Sequence, residues 1–380
     1  MNKKEILEIR RQFSPKDCAI TRICGCYVDA DKEIKVQFKE AFLSLPEEEA
    51  FKYFDIFKKT LSGTIGRNLI NMEFPLEAEK EGGKQNFLLR LRNSRLEDEL
   101  LLQEFYQKVI DFYDTPENYY IILIHSAYDI PGKSSDGMEM FDASDEVYEY
   151  LMCSICPVSL SKAALSYNAE KNSIEDRNRD WIVGAPEKGF LFPLFQDRST
   201  DIHGTLYYSK KPEELQLSFI EEVLGCQLPL SSKDQKEVFQ TLIAETLGED
   251  RSYEIVRNIH ENLNEMLEAN KDEPEPLALS KPDVKRLLEH SGIPSDKMVS
   301  FDEEYETVAG EQTSLLASNI TNPRQFEIHT PDIQIKVNPE RTDLIETRVI
   351  DGRQCLVIAV DDHIKVNGLD VWTLTKEKDQ

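Results

Sequence analysis

The run at residues 119–125, Tyr-Tyr-Ile-Ile-Leu-Ile-His, constrains the fold of this chain more than any other segment. Successive side chains of a strand point to opposite faces, so a strand that is apolar at every position needs cover on both faces. We therefore place 119–125 in the middle of a sheet that helices cover. Two stretches with apolar residues at helical spacing supply those helices, one that begins at Pro46 and one over residues 96–113. His125, at the end of the run, is interpreted as a core histidine whose hydrogen bonds are satisfied.

Further segments with strand character surround this run. Residues 20–28 and 34–38 flank Asp29-Ala30-Asp31-Lys32, which is typical of a hairpin, and strands are expected at 147–158, 164–167, 189–195 and 204–209. A helix is expected over residues 3–13, ending before Pro15. These elements predict an α+β domain over residues 1–210, built on an antiparallel or mixed sheet with covering helices.

After Pro212 the pattern changes to helix, with segments at 212–224, 231–247, 253–269, 281–290 and 301–308. Residues 271–277, which include Lys-Asp-Glu-Pro-Glu-Pro, form a linker within this helical section of residues 211–310. The turn pairs Asp351-Gly352 and Asn367-Gly368 then predict hairpins in a small β-rich unit over residues 311–380. The fold class is α+β, in three domains.

The charge of the chain restricts its partners. With 45 Lys and Arg against 71 Asp and Glu, the formal net charge is −26, which repels phosphate backbones. Nucleic acid is expected to bind only through local basic patches or indirectly. Two such patches are present, Lys3, Lys4, Arg10 and Arg11 in the first segment and Lys84, Arg90, Arg92 and Arg95 in another, and both are expected to be solvated helix faces.

The location of the protein follows from its termini and cysteines. No apolar stretch follows the first lysines, and the longest apolar run is too short to cross a bilayer. The seven cysteines are an odd number scattered over a long chain, as expected for reduced thiols. We expect a cytoplasmic protein that does not bind membranes.

The candidate site lies at residues 190–203, where Phe-Leu-Phe-Pro-Leu-Phe is followed by Gln-Asp-Arg-Ser-Thr-Asp-Ile-His. Asp197, Arg198, Asp201 and His203 offer two carboxylates, a guanidinium and an imidazole, enough for acid–base or metal-assisted hydrolysis with an anion bound by Arg198. The alternative is a charge-assisted network that braces the loop, leaving His203 to cap or stack. This architectural interpretation is favoured over catalysis.

No cofactor or metal site is expected elsewhere. Residues 127–134 fit the loose P-loop pattern, but Pro131 removes an amide donor and no helix begins after Lys133. The acidic residues between 136 and 146 lack EF-hand spacing. Cys24 and Cys26 share a strand face whereas Cys153 and Cys156 point to opposite faces, so buried core cysteines are expected rather than a zinc site.

Four segments carry a resemblance that runs nearly end to end: residues 20–28 (Ile-Thr-Arg-Ile-Cys-Gly-Cys-Tyr-Val), 141–150, 197–203 and 338–344. They resemble the bacterial family catalogued as domain of unknown function 4317 (DUF4317). In layout, and in residues 219–226 and 230–236, the chain is also similar to nucleoid-associated NdpA proteins. That second resemblance implies association with the bacterial nucleoid, through protein partners, and no enzymatic activity.

Three hypotheses about function follow. The first is a non-enzymatic cytosolic binding protein of a nucleoid-linked or other macromolecular assembly, with protein partners. The second is a hydrolase or metal-assisted enzyme that uses Asp197, Arg198, Asp201 and His203. The third is a structural or oligomeric scaffold built on the helical section, whose apolar stripes fit core packing equally well. The sequence leaves the oligomeric state open.

Overall fold

A computed structural model of the chain describes residues 1–133, 139–140, 146–227, 229–310, 313–360 and 364–371. The chain divides into two compact units, Met1–Asp234 and Gln235–Gln380. Helices and strands occur in both units, which confirms the α+β class. The division into three domains at residues 210 and 310 stays a prediction. None of the helices in the described ranges is long and apolar enough to cross a bilayer.

The first unit alternates between helices and strands. Its helices are α1 (Lys3–Arg11), α2 (Glu47–Thr60), α3 (Lys84–Asn93), α4 (Glu99–Phe112) and α5 (Leu217–Phe219), which continues as a π-helix over Ile220–Leu224. Its strands are β1 (Ile20–Val28), β2 (Ile34–Ala41), β3 (Leu69–Glu73), β4 (Asn118–Asp129), β5 (Gly132–Lys133), β6 (Glu139–Met140), β7 (Val147–Leu160), β8 (Leu165–Asn168), β9 (Ser173–Asp176), β10 (Trp181–Val183), β11 (Lys188–Phe192), β12 (Leu194–Gln196), β13 (Ser199–Asp201) and β14 (Gly204–Ser209).

The main sheet has the strand order β2-β1-β4-β7-β11-β14-β3, and every neighbouring pair is antiparallel. The apolar run 119–125 lies in β4 inside this sheet, as predicted. Ile121 and Leu123 pack beneath α3, α4 and the π-helical segment, whereas Ile122 and Ile124 pack beneath α1 and α2. The sheet is therefore covered by helices on both faces, because its central strands are apolar on both.

Several elements of this unit differ from the sequence prediction. β3 was not expected, and for residues 84–95 the sequence predicted only a solvated basic helix face, without bounds for the helix that is α3. The helix expected from residue 96 begins only at Glu99, because Arg95 and Leu96 are left-handed (φ 52° and 59°) and Asp98 caps the first turn by accepting from the N–H groups of Leu100 and Leu101. The helix expected over 212–224 starts at Leu217, although Gly225 (φ 78°) ends it as predicted.

The second unit combines helices with short hairpins. Its helices are α6 (Ser232–Leu247), whose first three residues belong to the first unit, α7 (Tyr253–Ala269), α8 (Lys281–His290), α9 (Phe301–Val308) and α10 (Ala317–Ile320). Its strands are β15 (Ala278–Leu279), β16 (Leu315–Leu316), β17 (Phe326–His329), β18 (Gln334–Val337), β19 (Ile345–Ile350), β20 (Arg353–Ile358), β21 (Ile364–Val366) and β22 (Leu369–Val371). These strands pair in consecutive antiparallel couples.

Three predicted helices and two predicted turns of this unit are confirmed, whereas α10 and the strands β15, β16 and β17 were not expected. The predicted helices at 253–269, 281–290 and 301–308 match α7, α8 and α9. Asp351 and Gly352 adopt φ 50° and 74°, and Asn367 and Gly368 adopt φ 50° and 85°. These left-handed pairs connect β19 to β20 and β21 to β22, so both predicted hairpin turns are confirmed.

Candidate functional site

Asp197 and Arg198 form the turn of the β12–β13 hairpin. Both have positive φ, 51° and 59°, as a two-residue hairpin turn of type I′ requires. The backbone N–H of Asp197 donates to Oε1 of Glu5 in α1, at 2.8 Å. The turn is therefore fastened to the helix that covers this face of the sheet.

The side chain of Arg198 extends the same attachment. Its guanidinium donates to the backbone oxygen of Pro131 at 2.9 Å and lies 3.4 Å from the carboxylate of Glu8. The hydroxyl of Tyr128 donates to the same carboxylate at 2.9 Å. Both Arg198 and Glu8 are largely covered, with 22% of each side chain exposed. Arg198 thus connects the hairpin to α1 and to the end of β4.

His203 lies beyond the hairpin and has a different partner. Its Nδ1 is 2.7 Å from Oε1 of Glu79, and its backbone N–H donates to Oδ1 of Asp201 at 3.0 Å. The hydrogen bond to Glu79 raises the pKa of His203, whose side chain is two-thirds exposed. Asp201 and His203 are thus brought together, whereas the contacts of Arg198 run to α1 and Pro131. A catalytic role for the four residues stays a prediction.

The cysteines are distributed as their spacing predicts. Cys24, Cys26 and Cys153 pack on the α4 side of the sheet, and Cys156 packs on the α2 side. Burial raises the pKa of Cys24 to about 12 and that of Cys26 to about 11, so these thiols stay protonated. Within the described ranges, no three His, Cys, Asp or Glu side chains are grouped so that they could hold a metal ion.

The P-loop-like and acidic stretches lie partly outside the described residues. Residues 127–129 belong to β4 and continue its pairing with β7. Ser134, Asp136, Asp142 and Asp145 are outside the described ranges, as is the side chain of Glu139. The cation and phosphate interpretations of this stretch are therefore untested.

Basic residues of the second predicted patch are interleaved with acids. Lys84 pairs with Glu222 at 2.9 Å and Arg95 pairs with Glu149 at 2.8 Å. A phosphate contact there would have to compete with these carboxylates.

A polar cleft of about 330 Å³ lies elsewhere in the first unit, and the sequence did not reveal it. It is lined by residues of the loop after α4 (113–117), of the start of β11, and of the loop after β14 (210–216). We call it the Lys188 cleft, because Lys188 is its buried amine, only 5% exposed. In the sequence, the only indication of this cleft was a lysine directly before the apolar run that begins at Gly189.

Lys188 makes two hydrogen bonds to uncharged groups. Its Nζ donates to Oγ of Ser209 at 2.8 Å and to the backbone oxygen of Glu214. Burial lowers the pKa of Lys188 to about 8. Such a perturbed amine in a cleft marks a candidate functional group.

A second feature is a hairpin that extends from the sheet, which we call the two-stranded arm (residues 158–183). At its base, β10 pairs with the end of β7, with Leu160 opposite Trp181. At its tip, β8 pairs with β9, with Tyr167 opposite Ile174. Four residues separate the two ladders on each side, and hydrogen bonds between Ser161 and Asp180 and between Arg177 and Ala164 bridge them. The arm therefore keeps one register from base to tip.

The arm exposes apolar side chains along its length. At the tip Leu165 is 75% exposed and Tyr167 61%, and at the base Trp181 is 56% exposed. Ile174, Ile182 and Val183 are exposed as well. Within the described part of the chain, β10 pairs with no strand other than β7, so its outer edge is open. The expected strand at 164–167 pointed to the tip, but not to a continuous arm.

Comparison with known proteins identifies the family. The model of the domain of unknown function DUF4317 matches residues 1–369. A search of curated proteins gives no match. Because the family model covers nearly the whole chain, this protein belongs to the DUF4317 family.

Proposed function

We propose that this protein is a non-enzymatic binding protein of a macromolecular assembly in the bacterial cytoplasm, and that the two-stranded arm is its docking element. The observation that carries the proposal is the set of exposed apolar side chains on the arm, represented by Leu165, Tyr167 and Trp181. Leu165, Tyr167 and Ile174 share one face of the arm and Trp181 lies on the opposite face, so a partner would contact the arm on both sides. Large exposed apolar groups of this kind are typical of protein interaction sites. Tyrosine and tryptophan are also the residues most often found at binding hot spots.

The charge of the arm favours a protein over a nucleic acid. Residues 158–183 contain four basic residues and four acidic residues, so the arm has no formal net charge. Binding to phosphate backbones depends on excess positive charge, which neither the arm nor the chain as a whole provides. An apolar, neutral arm instead fits an apolar groove on another protein.

The charge of the whole chain also selects between partners. A second copy would carry the same formal charge of −26, so long-range repulsion opposes pairing between copies. A protein with a basic surface around an apolar groove would be attracted by the body and held by the arm. Such a partner would connect this chain to the nucleoid without direct contact with DNA.

The hairpin at 194–201 has a supporting role in this proposal. The bond from Asp197 to Glu5 and the ion pair from Arg198 to Glu8 attach α1 to the hairpin, and the bond from Arg198 to Pro131 fixes the hairpin to the end of β4. We therefore assign Asp197 and Arg198 to architecture rather than to hydrolysis.

The proposal is tested by removing the apolar groups of the arm. The double variant Tyr167→Ser/Trp181→Ser is compared with the wild type and with Leu43→Ser/Val299→Ser, which removes even more exposed apolar groups elsewhere. Each of the three proteins is crosslinked to its neighbours in cells that produce the chain naturally, and the crosslinked proteins are identified. The recovered partner is then purified, and its affinity for each protein is measured by titration calorimetry. We expect the arm variant to weaken binding about 30-fold or more, since truncating each of two energetically important interface residues costs more than about 1 kcal/mol, and the control to bind normally.

Two results would reject the proposal. In the first, the arm variant binds the purified partner as tightly as the control does. In the second, sedimentation shows that the wild type forms a dimer that the arm variant loses, which would make a second copy the occupant.

A further inference from the structure

Lys188 occupies a position in which its contacts match a neutral amine. It is the first residue of β11, directly opposite Ser209 of β14. Its nitrogen donates to Oγ of Ser209 and to the backbone oxygen of Glu214, while the hydroxyl of Ser209 donates onward to the backbone oxygen of Lys211 at 2.6 Å. An ammonium has three hydrogens and a neutral amine has two. Two acceptors therefore satisfy the neutral form and leave its lone pair available.

The carboxylates around Lys188 are paired with other lysines. Glu187 lies 3.4 Å from the ammonium of Lys210, and Glu214 lies 2.9 Å from that of Lys211. Lys188 itself bonds only to uncharged oxygens. A buried ammonium without a bonded carboxylate is destabilised relative to the neutral amine, which is why the pKa of Lys188 falls to about 8.

We propose that Lys188 forms a reversible imine with a small, uncharged aldehyde or ketone that enters the Lys188 cleft. The cleft volume of about 330 Å³ is enough for a ligand of several heavy atoms. Its lining carries four carboxylates, from Asp114, Glu117, Glu187 and Glu214, against the amine of Lys188 and the ammonium groups of Lys210 and Lys211. Because the carboxylates are in excess, a ligand with its own carboxylate or phosphate is disfavoured.

The chemistry balances without a further reactant. The lone pair of Nζ attacks the carbonyl carbon, forming the C–N bond while the carbonyl π electrons move to oxygen, which is protonated to a carbinolamine. The carbinolamine then loses its oxygen as water, and the imine results. The two hydrogens that leave the nitrogen over both steps become the two hydrogens of that water. Addition of water reverses both steps. Nucleophilic lysines in clefts form imines in this way when their amine is kept neutral by burial.

Reductive trapping tests the inference on the folded wild-type protein. The protein is incubated at pH 7.5 with propanal and cyanoborohydride, and alkylation of each lysine is followed by peptide mass spectrometry. The pKa is about 8 for Lys188 and about 10.4 for an ordinary lysine. At pH 7.5 the neutral fraction of Lys188 is therefore roughly 200-fold higher. Lower pKa also reduces nucleophilicity, so we expect Lys188 to react at least about tenfold faster than Lys210. Glyoxylate, an anionic aldehyde, should show a smaller preference for Lys188.

Variants identify the site and guard against misfolding. Lys188→Arg and Lys188→Met should abolish the fast-labelled peptide, and Lys210→Arg, from the same cleft, should leave it unchanged. Circular dichroism of each variant checks that the fold is retained. The comparison of the labelling rates of Lys188 and Lys210 uses the wild-type protein alone and does not depend on any variant. The inference is overturned if Lys188 is labelled no faster than Lys210. It is equally overturned if Lys188 reacts only after the protein is unfolded in urea. Equal preference for glyoxylate would overturn the assignment of an uncharged ligand.

Discussion

The buried imidazole of His125 makes a specific prediction about acid stability. His125 lies on β4, fully buried, with Nδ1 2.7 Å from the hydroxyl of Thr21, and its Nε2 has no hydrogen-bond partner among the described residues. Burial is the main cause that lowers the pKa of His125 to about 4. His125 is a core histidine, as the sequence indicated, but the expectation that its hydrogen bonds are satisfied is wrong for Nε2.

Charged groups on β1, on β7 and at the end of α3 also contribute to this shift. Arg22 is directly opposite His125 on β1, and Arg92 and Arg95 lie at the end of α3 and in the turn after it. These three guanidinium groups lower the pKa of the imidazole, whereas Glu149 on β7 raises it. The effect of burial and of the arginines together exceeds that of the single carboxylate.

The sign and size of the pH dependence follow by linkage. Below the ordinary pKa of 6.5, the unfolded chain binds a proton at His125 and the folded protein does not, so the free energy of unfolding decreases as the pH falls. With a folded pKa of about 4, the loss between pH 7 and pH 4 amounts to about 3 kcal/mol. This stability is regained progressively as the pH rises from 4, and it is fully present only above about 6.5.

The assay compares urea unfolding of the wild type and of His125→Gln at several pH values, followed by circular dichroism. Other groups titrate in both proteins, so the difference isolates His125. We expect the wild type to lose about 3 kcal/mol more than the variant between pH 7 and pH 4. His203→Gln is the matched control: because its partner raises the pKa of His203, the stability that this exposed histidine adds is present at low pH and declines as the pH rises. Parallel curves for the wild type and His125→Gln would refute the reasoning.

Three further predictions concern the first unit. Leu102→Ala should reduce the free energy of urea unfolding by about 2–5 kcal/mol, whereas Leu100→Ala on the same helix should change it by less than about 0.5 kcal/mol, because Leu102 is buried and Leu100 is 82% exposed. Gly189→Ala should destabilise the sheet by at least about 1 kcal/mol in the same assay, since the added Cβ would lie 2.4 Å from the backbone oxygen of Cys153. Arg198→Met should expose α1 to faster hydrogen exchange while leaving its far-ultraviolet spectrum unchanged, and unchanged exchange would contradict the bracing role.

Local signals in the sequence predicted most of the individual elements. The apolar run at 119–125 indicated an interior strand, and the Asp-Gly and Asn-Gly pairs indicated turns that the structure confirms. These features depend on residues close together in the chain. The bounds and the buried face of α3 were not predicted, because Gly83 at its start has no side chain to cap the helix and only packing against the sheet reveals its apolar face.

The sites were harder to predict because they depend on distant contacts. The partners of Arg198 are Glu8 and Pro131, which no local pattern connects to a turn at residue 198. The burial of Lys188 likewise depends on the pairing of β11 with β14 and on the loop that follows β14. Residue type indicated the chemistry available at each position, but only the fold determines which groups meet.

Because the two-stranded arm keeps one register along its length, it can be shortened by engineering without changing how its strands pair. Because Leu160 and Trp181 are direct partners, and the same register holds at Tyr167 and Ile174, matched residues can be removed from the two strands without shifting the pairing of β7 in the main sheet. Each pair removed shortens the arm by about 3.3 Å and reverses which face its tip presents when the number is odd. A series of shortened arms would therefore measure both the depth of the partner's groove and the face that enters it.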